Sequence, residues 1–569
     1  MNSTKKINYY FRRYPLVRVC IALFIISLII CSSILIGFKT EKIPEIEYIN
    51  PPVGEPGDVV VISGKNFGET RDMGYVEFSG VKLTSSAYIS WEDSKIKLIL
   101  PANIQDGLVV VGTKKYRSKP SLFSNKVDIP IPVPVVAQSS KPVITSIGNG
   151  KHSPGDLLII QGNNFGEMRG NSKVLFTIDY DNKIADSNSV ITSNMYVENL
   201  VKANEFENAY EFWSNSEIHV RIPDGVCSGV ILIDTGTEKS EVFKYEITTP
   251  AKKTYKNKKI YLINYTADIA DINTNDVSTI TLRCPIPMET SYQPNLQITE
   301  VNPSPVLMNF QNNLIHQISK NKNYLPKTIF SQTFVIPVYE IGTEINPNRI
   351  TNYKKGDFQF VDEALKSDTL IPSENEKILE LCEEIVGKEK NPYRKAQLIY
   401  DYMCDNYKIL SKIRKNDAEP LDLLRSKKGD AYDFAIIYTA LLRAASVPAL
   451  TDAGILVSQD QTTQSHWWNE FYISGLGWIP VDVSLGAGLE YKKWTENELL
   501  EERKFYFGNM DSHHIVFSRG WNELKPFSQE NKIVQQPRSF ALQGIWEESS
   551  SNITKYSSFW SVPIIKGIY

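Results

Sequence analysis

Cysteine is scarce. Six occur in 569 residues: Cys20 and Cys31 inside one apolar run, and Cys227, Cys284, Cys382 and Cys404 far apart from one another. No Cys-x-x-Cys spacing is present, so neither a zinc framework nor a dense disulfide scaffold is indicated. A surplus of positive charge is also missing. The formal net charge of −3 excludes a nucleic-acid-binding reading, which needs a concentrated basic face. Apolar runs long enough to cross a bilayer are absent except over 19–38, VCIALFIISLIICSSILIGF, which holds no charge. Lys5, Lys6, Arg12, Arg13 and Arg18 precede that run, and no acidic residue comes before Glu41. The positive-inside rule then predicts a basic cytoplasmic N-terminus (1–18), a single-pass transmembrane signal anchor (19–38) and an extracytoplasmic bulk, periplasmic or surface-facing. Cleavage of the run as a signal peptide is the alternative, but no small-x-small site ends it. What remains is ordinary globular composition, and a chain of this length divides into several domains.

The first half repeats itself. Pro44, Gly57, Asp58, Gly64, Asn66, Phe67, Gly68 and Glu69 recur 98 positions later as Pro142, Gly155, Asp156, Gly162, Asn164, Phe165, Gly166 and Glu167. Further on, WEDSKIKLILP (91–101) answers WSNSEIHVRIP (213–223) at an offset of 122, so the second copy carries about 24 extra residues, expected within 177–206. Ile96, Leu98 and Leu100 alternate with polar residues, as do Ile218, Val220 and Ile222, which is the period of half-buried strands. Each copy is long enough for a two-sheet sandwich. The pattern resembles the IPT/TIG immunoglobulin-like domains, over 44–137 and 141–247. That resemblance implies binding or spacing rather than catalysis. Residues 256–347 stay strand-rich and read as a further β domain.

Helical signals begin near 373. Ser373 and Glu376 suggest a capping box, Gly387 a stop, and Asn391-Pro392 the N-cap and first position of a second helix. A third helix is carried by Phe434, Ala435, Ile437, Tyr438, Leu441, Leu442 and Ala445, entered through Gly429-Asp430. Residue 431 falls in its first turn, where the macrodipole would stabilise a thiolate. The residue there is alanine.

The stretch SHWWNEFYISGLGWIPVD (465–482) reads as a hairpin turning on Gly475 and Gly477. A turn centred on Ser474 would set His466 opposite Asp482 and Trp468 opposite Pro480. A carboxylate beside an imidazole orients it and stabilises its protonated form. Two members of a nucleophile–His–Asp set are thus legible.

The order of motifs makes the likeness specific. Gly429, Asp433, Phe434 and Ala435, then His466, Trp468, Asn469 and Glu470, then Gly477, Trp478, Pro480 and Asp482 resemble the signature of the transglutaminase-like (papain-like) core, over 373–490. The resemblance implies an α+β core, with His466 as general base and Asp482 as its orienting carboxylate. It places Ala431 where the family carries its nucleophilic cysteine. A methyl group cannot attack an acyl carbon, and losing the nucleophile forfeits most of the rate enhancement. Tyr432 and Trp468 are the neighbouring candidates for ligand contact. His513 and His514, beside Asp511, would point to opposite faces of a strand, so no metal set is expected, nor any cofactor.

The sequence therefore leads to a multidomain protein: anchor, two immunoglobulin-like sandwiches, a β domain, the transglutaminase-like core, and a C-terminal extension (491–569) packing on that core. The expected function is binding of a peptide, protein or envelope polymer by an inactive transglutaminase-like head. The alternative is an acyltransferase or hydrolase working through His466 and Asp482 without the cysteine.

Overall fold

In the computed structural model, the described residues are 43–569 except 102–103, 105, 126–140, 149, 182–198, 204–208, 275–277, 321–326, 355–360, 492–498, 522–523, 525, 528–530 and 544. The chain is multidomain and mostly β. The single-pass membrane placement expected from the sequence is corrected: among the described residues, no helix is long and apolar enough to cross a membrane. The segment that prompted it, 19–38, lies outside the described residues.

The two repeat copies build the same first sheet from the same local devices, beside a second sheet of five strands in the first copy and four in the second. In the first, Glu45–Asn50 pairs with Val59–Lys65, which pairs with Lys95–Ile99; in the second, Val143–Ile147 pairs with Leu157–Asn163, and that with Glu217–Arg221. Gly64 and Gly162 sit where the backbones approach most closely. A Cβ there would meet the carbonyl of Glu45 at 1.9 Å or of Val143 at 2.0 Å, so only glycine fits. Asn66 and Asn164 take left-handed backbone (φ 61° and 63°), turning the chain so that Phe67 and Phe165 plug their cores. The Trp91 and Trp213 indole N–H groups donate to the Phe67 and Phe165 carbonyls. The extra length of the second copy falls between strands Lys173–Ile178 and Leu200–Lys202, within the stretch expected from the sequence.

The β domain is organised by two long strands, Lys252–Thr274 and Lys327–Glu344, paired antiparallel along nearly their whole length. Tyr261, Ile263, Tyr265, Ala267 and Ile269 are buried at alternate positions, the pleat burying one face. The C-terminal extension contributes here as well as to the core. Ile553–Trp560 and Ile564–Ile568 pair with Lys252–Thr274, and Ile545–Ser549 pairs with Ser278–Pro285.

The core comprises helices α1 (Glu376–Val386), α2 (Pro392–Asn406) and α3 (Ala431–Ala444), with strands β1 (Ala449–Val457), β2 (Thr463–Ile473), β3 (Gly477–Val481) and β4 (His514–Arg519) in the sheet order β3-β2-β1-β4. The α1 cap lies later than the sequence suggests: Asn375, not Ser373, accepts the Lys377 N–H, while Gly387 ends the helix as expected. Asn391 and Pro392 start α2 in their expected roles. Residues 431–443 of α3 are all buried, so this helix runs through the interior and not along a surface. Asn469 ties β2 to it by donating to the Ala435 carbonyl and the Thr439 hydroxyl, both at 2.8 Å.

Candidate functional site

The hairpin places its acid differently from the sequence reading. The turn spans Ser474–Leu476, with Gly475 and Gly477 at positive φ (76° and 94°), so Phe471 faces Ile479 and Glu470 faces Pro480. Every expected partner shifts by two positions, and Trp468 does not face Pro480. A two-residue shift preserves the side-chain face, so His466 still reaches Asp482. Its Nε2–H donates to Asp482 Oδ2 at 2.6 Å. Asp482 lies just beyond β3 as the N-cap of helix α4 (Val483–Gly486), and its Oδ1 accepts the Leu485 N–H (2.8 Å) and the Ser484 hydroxyl (2.7 Å). Helix capping therefore fixes the carboxylate that orients the imidazole.

A second imidazole shares that carboxylate. His514, at the start of β4, bonds Asp482 Oδ2 through Nε2 (3.2 Å) and Asp511 Oδ1 through Nδ1 (2.8 Å). Asp511 also accepts the Tyr506 hydroxyl (2.7 Å). Burial alone would raise the Asp482 carboxyl, but the charges and hydrogen bonds of His466 and His514 hold it well below the usual range. Burial opposes protonation of His514, yet Asp511 and Asp482 raise it to about 9, so it is an imidazolium at neutral pH. His513 turns elsewhere, toward the Tyr261 hydroxyl (3.2 Å), and burial lowers it to about 4. The two histidines diverge, but not by strand alternation as expected: His513 lies in the turn before β4, and His514 lands on the carboxylate of His466.

His466, Asp482 and His514 are fully enclosed. Since Asp482 can only accept, His466 donates to it from Nε2, and its Nδ1 is buried with no hydrogen-bond partner among the described residues. Such a nitrogen can take a proton from a neighbouring thiol or water.

Ala431, the first residue of α3, is buried. Among the four described cysteines, all free, Cys404 donates toward the carbonyl of Val483, the residue after Asp482, at 4.0 Å. Burial raises its thiol to about 12, so it stays protonated and is a poor nucleophile. Tyr432 packs edge-on against Trp467 (5.4 Å) beneath the Arg538 guanidinium (4.3 Å), and burial pushes its phenol up to about 12. Trp468 stacks on His466 (6.1 Å) and meets His514 edge-on (5.1 Å). At 4% and 1% exposure, Tyr432 and Trp468 present almost no surface, so neither is an open platform.

The start of α3 is locked by a residue that no local signal singled out. Asp430 and Asp433 form a reciprocal capping box. Arg538, from the C-terminal extension, grips both Asp430 oxygens (2.7 and 2.9 Å), Asp433 (2.7 Å) and the Ala418 carbonyl (2.7 Å). Arg414 adds a second guanidinium contact to Asp433 (2.7 Å) and its backbone N–H to Asp430 (2.6 Å). Burial and Asp430 push the Asp433 carboxyl up, against the two arginines.

The fold and this arrangement define a class: the chain carries a transglutaminase-like core, with residues 379–483 matching the model of the Transglutaminase-like superfamily, and an IPT/TIG domain over residues 44–124. It is similar to an uncharacterized protein of Haemophilus influenzae, 26% identical over 185 residues, which are 28% of this chain and 50% of that relative. The chain thus spans about half the length of that relative. A cyclomaltodextrin glucanotransferase of Niallia circulans is 42% identical over 62 residues, 11% of this chain and 8% of the enzyme. Among solved structures, the periplasmic domain of TgpA from Pseudomonas aeruginosa aligns over 40% of this chain and 86% of its own, at 12% identity and a TM-score of 0.23.

Proposed function

We propose that the transglutaminase-like head binds a peptide, protein or envelope polymer without turning it over, residue 431 being the position from which the nucleophile has been lost. One contrast carries this reading. The imidazole–carboxylate pair is present, with His466 Nδ1 unpartnered among the described residues, while the first turn of the buried helix offers only the methyl group of Ala431. Retaining the base and its orienting acid without an attacking atom suits recognition rather than acyl transfer. The glucanotransferase match supports including cyclomaltodextrin among the polymers screened.

The test restores the missing atom. Ala431→Cys should give a thiol that reacts with iodoacetamide at pH 7 at least tenfold faster than free cysteine, and Ala431→Cys/His466→Ala should lose the excess. Ordinary cysteine reactivity in the single variant would show that 431 is not the nucleophile position. Saturable binding on peptide and glycan arrays is expected of the unmodified protein, and its absence across both would remove the binding reading.

A second reading is favoured by the same unpartnered nitrogen: a hydrolase in which Nδ1 of His466 activates water directly. Amidase activity in the purified protein that disappears with His466→Ala would establish it. Activity surviving that change belongs to a contaminant.

A further inference from the structure

Asp482 gathers two imidazoles onto a single oxygen, which is more than orienting one base requires. His466 Nε2, Asp482 Oδ2 and His514 Nε2 all lie within 4.8 Å of one another and are buried. We propose that these three side chains form a binding site for a divalent transition metal of the zinc class. The site goes beyond the binding reading and does not depend on what stands at residue 431.

The donor set fits that ion. Two imidazole nitrogens and one carboxylate oxygen suit zinc, cobalt and nickel, and three protein ligands leave a fourth position open. The two histidine–carboxylate spacings approach what a tetrahedral ion needs, and the two imidazole nitrogens, within 4.8 Å of each other, would draw together on binding. A tetrahedral centre with bonds of about 2.0–2.1 Å holds its donors roughly 3.3 Å apart. His514 and Asp482 already stand at 3.2 Å. His466 and Asp482, at 2.6 Å, must separate by roughly 0.7 Å, within reach of a small side-chain rotation. On metal binding, the proton on His466 Nε2 is displaced, and the His514 imidazolium releases its Nε2 proton to solvent.

The surroundings provide the outer support of a metal-bound histidine. His514 Nδ1 is hydrogen-bonded to Asp511 at 2.8 Å, and Asp511 is held by the Tyr506 hydroxyl (2.7 Å) and the His513 backbone N–H (2.9 Å). A carboxylate behind an imidazole fixes the tautomer that turns the other nitrogen toward the ion and raises its basicity. His466 Nδ1 has no hydrogen-bond partner among the described residues, so a metal-bound His466 would lack the outer support that Asp511 gives His514.

The experiment uses the full chain, stripped with chelator and titrated with Co2+ alone, then with Zn2+ in competition. One Co2+ per chain, with the intense visible bands of a low-coordinate site, is the expected result. His466→Ala and His514→Ala should abolish them, Asp511→Asn should weaken binding roughly 10- to 100-fold, and His513→Ala should bind as the unmodified protein does. Because the alanine variants remove buried groups, Asp511→Asn and the unmodified protein decide the matter if either variant fails to fold. No stoichiometric uptake, or uptake unaffected by a correctly folded His514→Ala, overturns the proposal. Its failure would leave the iodoacetamide test of residue 431 untouched.

Discussion

Replacing Arg538 with methionine should loosen the start of α3 while leaving the distant domains unchanged. The guanidinium makes three charge-assisted hydrogen bonds to Asp430 and Asp433, one more to the Ala418 carbonyl, and lies 4.3 Å above the Tyr432 ring. Its side chain is 1% exposed, as is that of Asp430, and Asp433 is at 0%. Removing it leaves two buried carboxylates facing each other across the capping box, with Arg414 alone to balance them. Truncating one partner of a buried ion pair costs about 3–5 kcal/mol, because the remaining charge loses its compensation. At tenfold per 1.4 kcal/mol, sub-global opening of α3 becomes about 10²- to 4 × 10³-fold more frequent. A multidomain chain has no single unfolding free energy, so the assay must be local: hydrogen exchange of the 430–436 amides, read by mass spectrometry. Arg538→Lys, which keeps the charge but not the planar fork, should fall between the two. Acceleration of less than threefold in Arg538→Met would refute the argument that this ion network holds the helix start.

Other outcomes follow from the same reasoning. Phe67→Ala and Phe165→Ala should each destabilise their own module by about 3–5 kcal/mol, with exchange rising only in the sandwich carrying the change; unequal effects would show that the two plugs are not equivalent. Gly64→Ala and Gly162→Ala should each cost about 1–3 kcal/mol or more, since the new methyl meets a backbone carbonyl. His316 is fully enclosed, receives the Gln332 amide N–H (3.2 Å), and is lowered by burial to about 4. A depressed histidine gives stability that is complete above its unfolded value near 6.5 and lost as pH falls from there toward 4, here roughly 3 kcal/mol. His316→Leu should flatten the acid-side rise in exchange of strand Asn313–Lys320, and an unchanged pH profile would exclude this histidine as its source.

The repeat in the first half, the apolar helix that became α3 and the motif order around His466 were legible in the sequence because each rests on local spacing. Gly64, Asn66 and Phe67 encode a turn and a plug within four residues, and the same set at 162–165 encodes it again. The hairpin at 465–482 was legible in type and face but not in register: a turn centred on Ser474 and one centred on Gly475 read alike, and the two-position shift between them keeps the alternation that brings Asp482 to His466. Two acts of assembly had no local signature. Arg538 reaches Asp430 across 108 positions, and His514 reaches Asp482 across 32. Composition and period name which residues an element buries, but which charge meets which inside is decided when separate elements pack. Desolvation then makes each unpaired group costly enough to select one partner.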